Sequence, residues 1–173
     1  QAYRESQAIA ERLAASDPSN AGWQRDVSLS LIKVGDVLLS QGDGPGALQA
    51  YRESQAIAER LAASDPSNAG WQRDVSVSLS RIGDVLVSQG DGPGALRAFR
   101  ESLAIAERLA ASDPSNPGWQ RDVWVSLWKL QGFPESGVSW GQVLERMEDM
   151  DARGVLLPTD RQFLETARRN ARG

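Results

Sequence analysis

The sequence predicts an all-α chain, a solenoid of antiparallel helix pairs closed by a C-terminal capping helix, and three observations carry that expectation. Shifted by 48 positions, Gln1–Leu48 falls on Gln49–Leu96 with only five changes: Leu29/Val77, Ile32/Ser80, Lys33/Arg81, Val34/Ile82 and Leu39/Val87. A third copy runs on through Arg97–Asp122 before the pattern decays. Self-similarity at such a period, without long connections between copies, marks a stacked repeat. Each copy also holds two apolar stripes at helical spacing, Trp71, Val75, Leu79, Ile82 and Leu86, then Leu96, Phe99, Leu103, Ala106 and Leu109. Finally, the stripes are punctuated by residues that start and stop helices. A hairpin built this way leaves one apolar flank bare, and only the next hairpin can cover it.

Taken in order, residues 1–18 read as the second helix of a truncated repeat, because Gln1–Ala15 matches Gln49–Ala63 and the partner first helix is missing. The chain therefore reads as a piece of a longer protein. The flank of Tyr3, Ile9 and Leu13 is expected to bury against another molecule or a second copy. Residues 19–66 form one repeat and 67–114 the next, with first helices over Asn20–Gln41 and Asn68–Gln89. Asn68 suits an N-cap, and Gly90 suits the left-handed residue just past a helix. Second helices are expected over Pro45–Ser64 and Pro93–Ser112, with proline where a missing N–H costs nothing and Asp113-Pro114 as terminator. Gly83, Ala95 and Ser102 are small, which lets the paired helices approach closely.

Residues 115–153 form a degenerate last repeat. Its first helix should stop near Leu130, before Gly132-Phe133-Pro134, and a helix from about Ser139 to Arg153 should replace the second. Gly154–Pro158 turns the chain, and residues 154–173 form a cap, with Thr159 or Asp160 starting a final helix to about Ala171. Phe163, Leu164 and Ala167 give that helix one apolar side, and its arginines give it the polar face a terminal cap requires. That reading puts the natural C-terminus here.

Composition removes much chemistry. The 173 residues carry a net charge of -4 with acids and bases interspersed, so no basic stripe exists for a nucleic-acid backbone. No run approaches the roughly 18 apolar residues of a membrane span, and no signal-peptide pattern opens the chain. The cytoplasm is the simplest compartment. With no cysteine and no histidine, disulfides, thiolate or imidazole metal sites, and histidine-activated nucleophiles are all excluded. No enzyme, catalytic residue, metal or cofactor is expected.

Three motifs invite chemistry and are better read as structure. Gly137-Val138-Ser139-Trp140-Gly141 has the GxSxG form, but a nucleophile elbow needs a preceding strand and a histidine. Ser139 is expected to cap a helix instead. The glycine-rich turns at Gly42–Gly46 and Gly90–Gly94 lack the lysine and hydroxyl of a phosphate loop, and they recur at each hairpin. Asp149 and Asp151 belong to an acidic, solvated helix face. Trp23, Trp71 and Trp119 occur once per repeat and are expected to pack between repeats, whereas Trp124 and Trp140 are expected to fill space beneath the cap.

Leu79, Gly83, Leu86, Ala95, Phe99, Ser102 and the closing Pro114 keep the spacing of the tetratricopeptide repeat, which the chain resembles over nearly its whole length. The unit is longer than the standard one and is similar to long variants in kinesin light chains and in bacterial proteins with tandem WQRD and GDVL units. The resemblance implies a right-handed superhelix whose first helices line a concave groove for peptides or helices, and a scaffold or adaptor role. Carried over residue by residue, the groove positions are Leu29, Ile32, Asp36, Leu39 and Ser40, then Val77, Ser80, Asp84, Val87 and Ser88, then Val125 and Trp128. The carboxylate clamp of some relatives is absent, since those positions hold Ile32, Ser80, Asp36 and Asp84. An apolar trough with two aspartates suits a protein or peptide partner whose apolar segment carries Lys or Arg. Two alternatives stand beside this: homotypic assembly through the bare N-terminal helix, and a spacer or sensor arm of a larger signalling protein.

Overall fold

The computed structural model describes residues 12, 15–17 and 19–172, and among them every regular element is helical. The first helices are α1 (Ala21–Ser40), α3 (Ala69–Ser88) and α5 (Pro117–Leu130). Each begins just after an asparagine: the side chains of Asn20, Asn68 and Asn116 accept from the backbone N–H of Trp23, Trp71 and Trp119, all at 3.1 Å. That bond satisfies one of the donors a helix start leaves without a partner.

The second helices of the two faithful copies are α2 (Gly44–Ser64) and α4 (Gly92–Ser112). Both start one residue before the proline that the sequence suggests as the opener. The reason is an aspartate that serves two helices at once. At the end of α1, Asp43 N–H donates to Leu38 O (2.9 Å) and Gly42 N–H to Leu39 O (3.0 Å), the paired bonds of a Schellman ending. Gly42 takes φ 80° there, a conformation that a Cβ would strain. Asp43 then turns its carboxylate forward to accept from Gly46 N–H at 2.9 Å, capping α2. Asp91 repeats both roles between α3 and α4. Pro45 and Pro93 still lie in the first turn, where no N–H is needed.

The rest of the chain follows the sequence reading closely. Helix α5 stops at Leu130, a short 3-10 turn spans Pro134–Ser136, and α6 covers Trp140–Ala152. Ser139 caps α6 in a reciprocal box with Gln142. A second 3-10 turn, Pro158–Asp160, leads into α7 (Arg161–Asn170). The expectation that Thr159 or Asp160 caps this helix by its side chain is corrected: Asp160 occupies the cap position but makes no capping bond. Its carboxylate has a stronger partner, described below. The expected N-terminal helix, with Tyr3, Ile9 and Leu13 and the homotypic contact assigned to it, lies outside the described residues.

The chain divides into two compact units, Gln1–Ala98 and Phe99–Gly173. In the first, α2 packs against both α1 and α3, the nearest-neighbour packing of a repeat stack. Gly35 on α1 faces Tyr51 on α2, whose side chain is wholly buried. Alongside, a run of buried hydroxyls joins the three helices: Ser28 Oγ lies 2.9 Å from Ser54 Oγ, which lies 3.2 Å from Ser78 Oγ. Each also meets a backbone carbonyl, so these small polar side chains permit close packing without leaving an unsatisfied group. Arg25 of α1 closes the stack by donating through Nε and Nη2 to Asp74 of α3 at 2.6 and 3.3 Å.

In the second unit, Trp124, Val143, Met147, Met150, Leu156, Leu164 and Ala167 form one buried cluster shared by α5, α6 and α7. Trp124 and Trp140 thus sit where the cap covers the last repeat. Trp119 packs instead with Ala106, Ala110 and Val123, joining the end of α4 to α5. Gln120 is buried and fully engaged: its amide donates to Ala110 O (2.9 Å) and its oxygen accepts from Arg146 (2.6 Å) and Arg153 (3.4 Å). Burial and the neighbouring Arg153 lower the pKa of Arg146.

Arg121 supplies the link to the cap. It stands 48 and 96 residues after Arg73 and Arg25 in the repeat. The aspartate that meets Arg25 is Asp74; one period beyond Asp122, its counterpart would fall at position 170, which is Asn170. Asp160 replaces it, accepting from Arg121 Nε at 2.8 Å and Nη2 at 3.3 Å, nearly the geometry of the Arg25–Asp74 pair. The cap therefore offers α5 the same carboxylate that a further repeat would.

Candidate protein-binding surfaces

All twelve positions assigned to the groove retain solvent exposure; none is buried. On α1, Val27, Ser28, Leu31 and Gly35 face inward, whereas Leu29 is 37% exposed, Ser40 is exposed, and Ile32, Asp36 and Leu39 are half-buried. Helix α3 repeats the division: Val75, Leu79, Ile82, Gly83 and Leu86 are buried, Val87 is 50% exposed, Ser88 is exposed, and Val77, Ser80 and Asp84 are half-buried. Leu29 and Val87 are thus large apolar side chains held in water by helices whose cores are already filled.

The polar members of this row have partners within the chain. Ser40 and Ser88 spend their hydroxyls on their own helices, donating to Val37 O and Val85 O at 2.7 Å. Asp36 accepts from the Tyr51 hydroxyl at 2.7 Å and pairs with Arg81 at 3.4 Å, both through Oδ1. Burial, and then the bond to Asp36, pushes the Tyr51 hydroxyl pKa up from its usual value, because a buried phenolate beside a carboxylate would be doubly unfavourable. Sequence reasoning placed Asp36 in the trough and missed both partners. The signal was present, since Tyr51 lies fifteen residues on and Arg81 is one of the five changed positions.

In the second unit, Val125 and Trp128 are half-buried on α5. Trp128 is packed edge-on to Trp140 (ring centroids 4.7 Å apart) and to Phe163 of α7 (5.6 Å), the geometry that sets a positive ring edge against a negative face. Phe163 also lies 5.5 Å from Trp124. These rings border a notch of about 190 Å³ lined by Arg121, Trp124, Val125, Trp128, Lys129 and Phe163. Five of the six come from one face of α5, and α7 supplies the remaining wall. Arg121 lies 5.5 Å from the Trp124 ring while held by Asp160, and Lys129 lies 5.3 Å from the Phe99 ring. Of these lining residues, the groove assignment found Val125 and Trp128 only. The other four were not assigned to the groove from the sequence, because the walls depend on how the cap helix meets α5.

The motifs that invite catalysis are structural. Ser139 of the GxSxG string accepts from Gln142 N–H as a helix cap, and Gly137 takes φ 73° to end the preceding turn. Asp149 pairs with Arg153 and Asp151 with Arg161. Among the described residues, no helix is long and apolar enough to cross a membrane.

A comparison with curated proteins finds no match. The family model described as tetratricopeptide repeat matches residues 75–115, which run from Val75 on α3 to Ser115 just after α4. Repeats of this family are generally protein–protein interaction scaffolds and typically non-catalytic. That match supports a tetratricopeptide-like repeat over residues 75–115.

Proposed function

We propose that the first helices of the repeats dock an apolar segment of another protein, helical or extended, in a non-catalytic scaffolding role. The observation that carries this reading is the exposure of two large apolar side chains of the first helices, Leu29 and Val87. A contiguous exposed apolar patch marks a contact surface, and the half-buried Ile32, Leu39 and Val77 extend these two into a candidate patch. A few such anchors supply most of the affinity, and charge sets orientation and on-rate. The half-buried Asp36 carboxylate, which Tyr51 and Arg81 both meet through Oδ1, suits a partner segment that carries Lys or Arg.

The test is a double variant, Leu29→Ser with Val87→Ser. Both side chains are exposed, so helicity and unfolding should shift by no more than about 0.5 kcal/mol. Peptides selected from a displayed library against the parent chain should lose binding to the variant. Retention of binding by the double variant would rule out this surface.

A further inference from the structure

We propose that one edge of α1 receives a helix of a partner protein, parallel to it, that carries an arginine and, eleven residues on, an aspartate. The template lies within the chain. Helix α3 meets α1 through two ion pairs of opposite sense: Arg25 of α1 donates to Asp74 at 2.6 Å, and Arg81 meets Asp36 of α1 at 3.4 Å. Arg25 and Asp36 are three helical turns apart and so share a face of α1. On α3, Val77 stands between Asp74 and Arg81 in the same three- and four-residue spacing and is half-buried.

The same edge of α1 holds Asp26, Leu29 and Lys33, 48 residues before Asp74, Val77 and Arg81, and all three are exposed. Among the described residues, neither Asp26 nor Lys33 has the ion pair of its counterpart, and the adjacent Arg25 spends its guanidinium on Asp74. These are the charges of an interface with one side uncovered, and they specify the other side: a cation opposite Asp26, an anion opposite Lys33 and an apolar residue over Leu29. A second copy of this chain does not supply them. Its Arg25 and Asp36 are paired with α3, Arg73 and Asp84 have partners, and in the third copy Arg121 is held by Asp160 while Gly132 replaces the aspartate. The contact goes beyond the scaffold reading and shares only Leu29 with it.

The experiment titrates the full chain into a fluorescent, helix-stapled peptide with the sequence of residues 20–41, which carries Arg25 and Asp36 at the required spacing. Anisotropy should show saturable binding. The chain variant Asp26→Lys with Lys33→Glu alters only exposed side chains and should bind about tenfold more weakly, the range that two exposed ion pairs supply. A peptide with Arg25→Glu and Asp36→Lys should bind the parent chain weakly and the charge-reversed chain as tightly as the original pair. Absent binding, an affinity indifferent to the reversal, or failure of the reversed peptide to restore it overturns the proposal. Binding that ignores the reversal but is lost with Val87→Ser places the peptide on the row of the scaffold reading, which then stands while this contact falls. Self-association of the parent chain in sedimentation, abolished by Asp26→Lys, would make the occupant a second copy and overturn the choice of partner.

Discussion

Substituting Gly35 by alanine sets two opposed effects against each other. In an exposed helix interior, glycine to alanine is stabilising by about 1 kcal/mol, since alanine loses less backbone entropy on folding. At Gly35 the new Cβ would lie 2.7 Å from Tyr51 Cδ1 and 2.8 Å from Cζ, well inside contact distance. The ring cannot swing aside cheaply, because it is completely buried and its hydroxyl is tied to Asp36. Overpacking of this kind costs about 1–3 kcal/mol, and losing a hydrogen bond to a half-exposed carboxylate adds about 1.5 kcal/mol. Sterics therefore win, and Gly35→Ala should lose about 1.5–3.5 kcal/mol net. Urea unfolding followed by circular dichroism measures it directly. In a Tyr51→Leu background the penalty should shrink by most of that amount, a coupling that only direct contact produces. A Gly35→Ala protein as stable as its parent, or more so, would refute the reasoning, because propensity alone would then have decided the outcome.

Two further outcomes follow from charged and titrating groups. The raised pKa of Tyr51 means the folded chain holds its phenolic proton more tightly than the unfolded chain does. Its contribution is therefore complete below the unfolded value near 10 and is lost as pH rises above it. Tyr51→Phe, the residue the next copy carries at Phe99, should cost about 1 kcal/mol at neutral pH and should flatten the decline in stability above pH 10; an unchanged alkaline slope would show that Tyr51 does not cause it. The two arginine–aspartate pairs share a geometry but differ in depth, with side-chain exposure of 1% for Asp160 and 12% for Asp74. Asp160→Asn should cost about 2–4 kcal/mol and Asp74→Asn about 1–2, since a more deeply buried pair leaves its broken half more poorly solvated; equal losses by chemical denaturation would count against that ordering.

Most of the fold was legible because helix signals here are local and repeated. Asn68 as cap, Gly90 as the left-handed stop, the end of α5 at Leu130 and Ser139 as the start of α6 each depend on a few neighbouring residues, and the structure places all of them as expected. The misreadings share a different property. Asp43 and Asp91 act on two helices at once, so a reading that takes one helix at a time assigns them to neither. Asp160 looks like a cap by its neighbours in the chain, yet its partner lies 39 residues away. The notch was only half visible for the same reason. Val125 and Trp128 follow from the repeat, whereas Phe163 belongs to a helix outside it and becomes a wall only once the cap has docked.

The five differences between the near-identical copies support a division of labour within each first helix. Val27/Val75, Leu31/Leu79 and Gly35/Gly83 are unchanged, and all six residues are buried. Of the changed pairs, Leu29/Val77, Ile32/Ser80, Lys33/Arg81 and Leu39/Val87 contain no buried member, and only Val34/Ile82 includes one. Close packing explains the first group, since altering a residue wedged against a neighbouring helix costs several kcal/mol and would have to be matched on the other side. Packing does not explain why three of these four pairs, all but Lys33/Arg81, carry Leu, Ile or Val in at least one copy rather than Glu or Lys, which are the better helix formers and cost nothing in water. The arginine at position 81 of the second copy reaches back to Asp36 of the first, so the Lys33/Arg81 pair changes the side chain while keeping its positive charge. On the binding role proposed above, copies that keep their interior and vary their outer face would offer each partner residue a slightly different contact, and so a preferred register. Replacing Leu29, Ile32 and Leu39 with the residues of the second copy, Val77, Ser80 and Val87, should therefore leave stability within about 1 kcal/mol by urea unfolding, and under the proposed role should change which register a selected peptide prefers.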